Sequence, residues 1–308
     1  MAGEQGIPNS LKFAFGAGAG MLGTCFVQPL DLIKNRMQLS GAGGKASEYR
    51  NTFHAFSSIL KSEGIFALYN GLSAGLLRQF TYTGTRLGVY TYLFDMMKKP
   101  DGSPPGFAQK VAIGMGAGIC GAFVGTPAEI SLIRMTADGR LPANERRNYK
   151  NVFDALFRIV REEGVMTLWR GATPTIGRAV AVNGAQLGTY SQAKEMYTKA
   201  FNLRDGILLH FVSSMTSGLI TTIVSMPIDI AKTRVQNMRI VDGVAEYKGP
   251  VDVIMKILRN EGVFALWKGF TPYFFRLGPH TVLTFVFLEQ MNTAYYKYVL
   301  GKKKSGGF

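Results

Sequence analysis

Charge, cysteine and histidine are all scarce in this sequence. Only 18% of the 308 residues are Asp, Glu, Lys or Arg, whereas soluble domains carry about 25%. The two cysteines, Cys25 and Cys120, form no CxxC spacing and cannot supply a disulfide framework. The three histidines, His54, His210 and His280, belong to no HExxH or triad-like pattern. We therefore expect no enzyme active site, no metal site and no cofactor.

The little charge that is present is strongly basic. Lys and Arg number 35 against 20 Asp and Glu, which gives a formal net charge of +15, while 47% of the residues are hydrophobic. Soluble nucleic-acid-binding proteins share the basic charge but not this apolar content together with 37 glycines. The amino terminus shows no secretory signal. The composition predicts a membrane protein with basic loops and no nucleic-acid partner.

Three stretches of the chain repeat at intervals of roughly 100 residues. Each opens on a proline followed by an acid and then an arginine, in PLDLIKNRMQ from Pro29, PAEISLIRMT from Pro127 and PIDIAKTRVQ from Pro227. Each continues through a Glu-Gly pair, in EGIFALYNG, EGVMTLWRG and EGVFALWKG. We therefore divide the chain into three repeats that form one integrated domain. The repeats cover residues 1–104, 105–205 and 206–308.

Every repeat contains two long apolar stretches. The first covers residues 13–30, 111–128 or 206–228 and contains no Lys, Arg, Asp or Glu, which is typical of transmembrane helices. The second is apolar but interrupted by arginine. Between them lies a polar segment with amphipathic periodicity, as in SSIL at residues 57–60. The sequence predicts an all-α membrane protein with six transmembrane helices, plus short surface helices in long loops that share one side.

An acid and a base stand three residues apart near the end of the first helix in repeats one and three. The pairs are Asp31 with Lys34 and Asp229 with Lys232. If three equivalent helices surround an axis, the acid of each faces the base of a neighbour, and the ion pairs close the pore; prolines would bend the helices together. A charge cluster at solvated helix ends is the alternative, but repetition at one depth favours the ring.

Four arginines interrupt the second helices. Arg78, Arg178 and Arg276 occupy matching positions, and Arg86 lies two turns beyond Arg78. Because charge inside a membrane is costly, such residues mark a substrate path or an internal pair. Arginine binds carboxylates bidentately, so the set predicts a dicarboxylate site, although phosphate would also satisfy the charge. Polar neighbours that could orient the substrate are Tyr82, Asn183 and Gln186.

A glycine closes each Glu-Gly segment just before the second helix begins. Free backbone N–H groups at helix starts bind phosphate, and aromatic residues favour the membrane interface. An anionic lipid is therefore one interpretation of these corners, and a structural turn is the other. The corner residues are Gly71, Gly171, Gly269, Trp169 and Trp267.

The threefold Px[DE]xx[KR] pattern spans essentially the whole chain and resembles that of the mitochondrial carrier family. The resemblance implies six tilted helices in threefold pseudosymmetry in the mitochondrial inner membrane, with long loops and surface helices in the matrix and both termini toward the intermembrane space. Segments such as RMTADGRLPA and RLGPHTVLTFVFLEQMN resemble those of family members that exchange 2-oxoglutarate for malate or a related dicarboxylate. This closer resemblance implies a single central site and an exchange that serves the malate–aspartate shuttle. It also implies cardiolipin at the glycine corners. We further expect a functional monomer.

Carried onto this sequence, the family's matrix gate pairs Asp229 with Lys34 and Glu129 with Lys232. Asp31 is left without a partner on the neighbouring first helix, because Leu132 stands where a base is expected. The family's bracing glutamine is matched by Gln38 and Gln236, and repeat two has Thr136 there instead.

The motif of the cytoplasmic gate is less complete, and one of its matches, FDMMK from Phe94, stands one turn out of register. Its candidate residues are Asp95, Lys98, Lys194 and Glu289. Because the matrix gate is the fuller of the two, we expect the empty carrier to favour facing the cytoplasm.

Two other functions stay open at this point. Another anion carrier, for dicarboxylate and phosphate or for protons, would use the same arginines, although the longer matching segments favour 2-oxoglutarate and malate. A non-transporting membrane scaffold would tolerate loss of the arginines and the gate pairs, whereas a carrier would not.

Overall fold

Each repeat places a short helix between two long ones in the computed structural model, which describes residues 9–42, 47–98, 105–201, 207–238, 240–241 and 244–299. The long helices are α1 (Asn9–Leu39), α3 (Leu72–Met96), α4 (Phe107–Asp138), α6 (Ala172–Phe201), α7 (Ile207–Asn237) and α9 (Phe270–Tyr298). The short ones are α2 (Thr52–Glu63), α5 (Val152–Glu163) and α8 (Pro250–Asn260). The predicted all-α fold of three tandem repeats is confirmed.

Some short elements were not predicted. A 3₁₀ turn follows each short helix, over Ile65–Tyr69, Val165–Trp169 and Val263–Trp267. Two strands of two residues, Ile240–Val241 and Val244–Ala245, pair antiparallel after α7. Both features occupy the polar loops, where apolar periodicity is too short to indicate them.

The long helices close into a circle. Helix α3 packs along α4, α6 along α7, and α9 returns to pack along α1. Small residues permit these close approaches: a Cβ on Gly121 would lie 3.0 Å from the backbone oxygen of Tyr82, and one on Gly23 would lie 2.9 Å from Thr284 Oγ1. Close backbone packing at small residues is a common way for helices to associate in membranes. The circle leaves a space along its axis.

Two of the long helices are apolar enough to cross a membrane by composition alone. They cover Gln109–Asp138 and Val212–Asn237, which contain 18-residue windows with mean hydropathies of 1.5 and 1.2. Helices α3, α6 and α9 carry the arginines that interrupt the second apolar stretch of each repeat. These charges lower their mean hydropathy, so composition alone understates the number of helices in the circle.

In each repeat a buried arginine of the first long helix connects that helix to the end of the short helix. Arg36 pairs with Glu63, and its Nη2 lies 2.9 Å from Glu63 Oε2. The same arginine donates from Nε to the carbonyl of Thr136 on α4, at 2.9 Å. The guanidinium therefore fastens α1 both to its own short helix and to the next repeat.

The two other repeats copy this arrangement. Arg134 pairs with Glu163 and donates to the carbonyl of Gln236 at 3.4 Å. Arg234 pairs with Glu261 and donates to the carbonyl of Gln38 at 3.1 Å. The bonds run from α1 to α4, from α4 to α7 and from α7 back to α1, so they tie one end of the bundle together cyclically.

A proline inside each of α1, α4 and α7 leaves one carbonyl without its helical donor. In repeat three the missing bond of Pro227 frees the carbonyl of Ile223, and the indole Nε1 of Trp267 donates to that oxygen at 3.0 Å. In repeat two the ring of Trp169 stacks on Phe123, with centroids 5.7 Å apart. The tryptophans therefore have structural contacts beside the prolines.

The pKa of Glu163 shows how strongly these pairs favour the charged form. Burial alone would raise it, but the hydrogen bond and charge of Arg134, with the charges of Arg147 and Arg170, lower the pKa of Glu163 below its ordinary value of 4.5. A carboxylate with a lowered pKa stabilises the fold above its ordinary pKa, and that stability is lost as the pH falls toward the folded-state pKa.

We expect Glu163→Gln to destabilise the protein at neutral pH by about 1–3 kcal/mol, because Arg134 keeps its buried charge and loses its anion. The adjacent Glu162→Gln is the matched control, since Glu162 is exposed and pairs with Arg158 at the surface. Thermal unfolding in detergent measures both. The difference between them should shrink as the pH is lowered below 4.5; equal losses for both variants would contradict the role of the buried pair.

Candidate functional site

A cavity of about 310 Å³ lies on the axis of the helical circle. All four arginines that the sequence placed inside the membrane line it, together with Tyr82. The side chains of Asn183 and Gln186, two further predicted residues, lie outside the described part of the structure, although both belong to α6. The arginines are Arg78, Arg86, Arg178 and Arg276. The cavity therefore presents cationic donors from α3, α6 and α9.

Charged side chains of α1, α4 and α7 close one end of this cavity. Lys34 Nζ lies 3.1 Å from Asp229 Oδ2, and Lys232 Nζ lies 2.7 Å from Glu129 Oε1. Each pair joins two helices, α1 to α7 and α7 to α4. We call these four residues, with Asp31, the charged ring. The structure thus places together the acids and bases that the repeat spacing relates to one another.

Asp31 is the member of the charged ring for which the sequence analysis found no base. The position on α4 at which a base would face Asp31 is occupied by buried Leu132, as the sequence indicates. The structure supplies a cation from another helix, because Arg276 Nη1 on α9 lies 2.9 Å from Asp31 Oδ1. Asp31 thus lacks a partner on the neighbouring first helix, as the sequence indicates, and pairs instead with an arginine of α9 that the sequence analysis did not connect to it. A buried carboxylate requires a counter-charge, and the nearest one comes from the cavity wall.

Arg178 is likewise shared between the cavity and the charged ring. Its guanidinium forms an ion pair with Asp229, the carboxylate that also binds Lys34. Its Nη2 donates to the hydroxyl of Tyr273 at 2.7 Å. Two of the four cavity arginines are thus held by acids of the charged ring.

The other two cavity arginines have no such acid. Arg78 and Arg86 form no ion pair among the described residues, and Arg78 Nε is buried without a hydrogen-bond partner there. Arg86 is exposed toward the cavity that it lines. Uncompensated guanidinium groups in a membrane-embedded cavity attract an anion. These two side chains supply the charge that a ligand would neutralise.

Several further cavity residues were missed by sequence reasoning. Thr175 Oγ1 lies 3.3 Å from Glu129 Oε2, Tyr273 contacts Arg178, and His280 stands one turn beyond Arg276 on α9. The sequence analysis treated the histidines as scattered polar residues. The spacing of His280 from Arg276 is the signal that could have placed it on the same helix face.

The two glutamines that match the family's brace have different surroundings. Gln236 Nε2 lies 3.4 Å from Glu129 Oε2, beside the ion pair with Lys232. Gln38 instead accepts a hydrogen bond from Thr233 Oγ1 at 2.8 Å. Only the first of them contacts a charged member of the ring directly.

The opposite end of the cavity is arranged differently. Asp95, near the end of α3, pairs with Lys98, two residues beyond that helix, at 2.6 Å, and both side chains are exposed. Glu289 is exposed on α9, and Lys194 is half-buried on α6. In the structure Asp95 and Lys98 pair with each other and do not bridge to a neighbouring helix. The pair that the sequence suggested therefore does not close this end.

The glycine corners have a packing reason. The backbone φ angles of Gly71, Gly171 and Gly269 are 82°, 87° and 85°, in the left-handed region that favours glycine. A Cβ at Gly171 would lie 2.7 Å from Gln236 Cγ, and one at Gly269 would lie 3.1 Å from the carbonyl of Lys34. The corners therefore set how closely α3, α6 and α9 approach the charged ring.

Comparison of the sequence with known proteins identifies the family that this chain matches. The family model for "Mitochondrial carrier protein" matches residues 6–101, 103–201 and 204–299. The chain is 65% identical over 293 residues to the human "Mitochondrial 2-oxoglutarate/malate carrier protein", which covers 95% of this chain and 93% of the relative. It is 63% identical over 300 residues to the Caenorhabditis elegans protein of the same name, with 97% of each covered. It is 40% identical over 306 residues to "Mitochondrial uncoupling protein 5" of Arabidopsis thaliana, with 93% and 98% covered.

The shared role of Arg276 leads to a prediction about Leu132. We expect Arg276→Ala to cost on the order of 3 kcal/mol of stability, because it leaves Asp31 buried without a cation. In a Leu132→Lys background, which restores the base that repeat two lacks, that cost should fall by about 1 kcal/mol or more.

Thermal unfolding of the two single variants and the double variant in detergent closes the cycle. Arg86→Ala is the control, since Arg86 has no ion pair in the described residues and its cost should not depend on position 132. An equal cost of Arg276→Ala in both backgrounds would contradict the pairing with Asp31.

Proposed function

The chain belongs to the mitochondrial carrier family, and from that premise we propose that it exchanges 2-oxoglutarate for malate or a related dicarboxylate across the mitochondrial inner membrane. The substrates pass chemically unchanged. The observation that carries the proposal is the axial cavity, in which two arginines without an ion pair among the described residues stand beside two arginines held by acids of the charged ring. The full-length similarity to 2-oxoglutarate/malate carriers supports the choice of substrate.

A dicarboxylate matches the number and kind of charges in the cavity. Arg78 and Arg86 present guanidinium groups that form no direct ion pair among the described residues, and a carboxylate accepts two parallel hydrogen bonds from such a group. The second carboxylate of the substrate would reach Arg178 or Arg276. Tyr82 also lines the cavity and offers a hydroxyl to the same ligand. We assign substrate binding to these residues.

The same arginines connect binding to opening. A carboxylate that engages Arg178 competes with Asp229, and one that engages Arg276 competes with Asp31. Bound substrate thereby weakens the contacts that hold α1, α4 and α7 together. A ligand shifts a conformational equilibrium only by its differential affinity for the two states. Without substrate the charged ring keeps its partners, so exchange is favoured over one-way transport.

The orientation follows from the charges of the loops. Both described chain ends lie at the end of the bundle away from the charged ring, since α1 runs toward the ring and α9 runs away from it. The loop after α4 carries Arg140, Arg146, Arg147 and Lys150 near the ring end. Loops rich in Lys and Arg favour the inner side of a membrane, which for the mitochondrial inner membrane is the matrix. We place the charged ring toward the matrix and the termini toward the intermembrane space.

Lipid and oligomeric state complete the proposal. The starts of α3, α6 and α9 present backbone N–H groups beside the glycine corners, and such groups suit the phosphates of cardiolipin. Trp169 and Trp267 lie at the same level, where aromatic side chains favour the interface. One chain closes the circle of helices around the cavity. We therefore assign transport to the monomer.

Purified protein in liposomes should take up labelled 2-oxoglutarate rapidly when malate or 2-oxoglutarate is inside. Uptake should be near background in vesicles loaded with phosphate, with ADP or with nothing, because the charged ring opens for the dicarboxylate. Uptake into empty vesicles would contradict coupled exchange. Uptake driven by internal phosphate would instead indicate a dicarboxylate and phosphate carrier, and no uptake by folded protein would favour a scaffold.

The same assay tests the binding arginine. Arg178→Ala should lower exchange by roughly 100-fold or more, since it removes a charge-assisted bond to the substrate. The fold should persist because Lys34 still pairs with Asp229. Arg161→Ala, at an exposed arginine of α5, is the matched control and should retain exchange. Full activity of Arg178→Ala would remove that residue from the site.

A further inference from the structure

The residue three positions before each repeated arginine faces one joint of the charged ring, which is the place where two of the helices α1, α4 and α7 meet. These residues are Gly75 on α3, Thr175 on α6 and Tyr273 on α9. A Cβ on Gly75 would lie 3.9 Å from Leu132, the position without a base, and Thr175 lies 3.3 Å from Glu129. The three repeats thus fill one place with three different side chains. Only repeat three places an aromatic residue there.

Tyr273 contacts both cations of the joint between α1 and α7. It is buried, with 6% of its surface exposed. Its hydroxyl accepts a hydrogen bond from Arg178 Nη2 at 2.7 Å, and Lys34 Nζ lies 4.6 Å from the centroid of its ring. Both cations pair with the single carboxylate of Asp229. One side chain of α9 therefore meets residues of α1 and α6 around an acid of α7.

The arrangement answers an electrostatic problem. Two cations on one carboxylate repel each other, and a largely buried site screens that repulsion less than bulk water does. The face of an aromatic ring attracts an ammonium group, and a phenol oxygen accepts a hydrogen bond from a guanidinium. Tyr273 offers both surfaces at once, one to Lys34 and one to Arg178. It therefore favours the arrangement in which both cations stay on Asp229.

The edge of the Arg178 guanidinium that contacts Asp229 and Tyr273 is also the edge that would bind a substrate carboxylate. A carboxylate binds arginine best through two neighbouring N–H groups. Nε of Arg178 pairs with Asp229 and Nη2 donates to Tyr273. A substrate carboxylate that takes this edge must displace both partners.

We propose that Tyr273 is a positioning residue of the charged ring: it holds Lys34 and Arg178 on Asp229, so that the ring stays closed until a substrate carboxylate takes Arg178. This role rests on the proposed exchange of dicarboxylates. It predicts that loss of the phenol hydroxyl loosens the ring without removing any charge from the cavity. The consequence is one-way leakage of substrate in a carrier that still exchanges.

The test uses Tyr273→Phe, which keeps the ring under Lys34 and loses the hydroxyl, and Tyr273→Leu, which loses both. Liposomes loaded with labelled 2-oxoglutarate are diluted into buffer with malate or without it, and the ratio of one-way efflux to exchange is measured. We expect Tyr273→Phe to raise this ratio several-fold and to lower the KM for exchange. Tyr273→Leu should raise the ratio further.

Tyr197→Phe is the matched control, because its hydroxyl lies 2.8 Å from Thr216 Oγ1 and joins α6 to α7 away from the charged ring. It should keep the wild-type ratio. An unchanged ratio in Tyr273→Phe, or a raised KM without leakage, would overturn the positioning role. If Tyr273→Leu fails to fold, the conservative Tyr273→Phe decides. No exchange by folded wild type would overturn the proposed function and this role together, whereas wild-type exchange with an unchanged variant overturns this role alone.

Discussion

Three carboxylates determine how the bundle closes: Asp31 and Asp229, which are buried, and Glu129, which is partly buried. They lie on α1, α4 and α7, one on each helix, and none can remain ionised inside a membrane protein without a cation. Lys34 and Lys232 satisfy two of them across helix boundaries. The end of the bundle is therefore held by charge as well as by packing, which is a connection that a competing anion can weaken.

The asymmetry of the charged ring links it to the cavity. Because Leu132 stands in place of a base, Asp31 draws on Arg276 from the cavity wall. Arg178 does the same for Asp229 from α6. A perfectly threefold ring of lysines would close the end without touching the cavity. Here two cavity arginines that we propose as ligands of the substrate also pair with acids of the ring, so that under this proposal occupation and opening become one event.

Much of this could be predicted from the sequence, because it depends on order along the chain. The proline motifs recur at one depth, so symmetry indicates that each acid faces the base of a neighbouring helix, and the family resemblance implies the particular partners of Asp229 and Glu129. The helical pairs and the surface helices follow from apolar periodicity.

What escaped prediction depends on how helices distant in sequence face one another. The contact of Arg276 with Asp31 joins the last helix to the first, and the contact of Tyr273 with Lys34 does the same. A pattern within one helix gives its apolar and polar faces but not its rotation against a neighbour hundreds of residues away. Trp267 shows a related difficulty, since its partner is a carbonyl freed by a proline on another helix.

The central claim is that a dicarboxylate opens the charged ring by taking its arginines, and cysteine labelling tests it directly. Thr136 is fully buried one turn beyond Leu132, on the far side of the ring from the cavity. In a background with Cys25 and Cys120 replaced by serine, Thr136→Cys is treated in detergent with a polar maleimide. We expect slow labelling alone or with 2-oxobutyrate, which has one carboxylate, and several-fold faster labelling with 2-oxoglutarate or malate. A labelling rate that does not change with dicarboxylate, in a variant that still exchanges, would contradict the account.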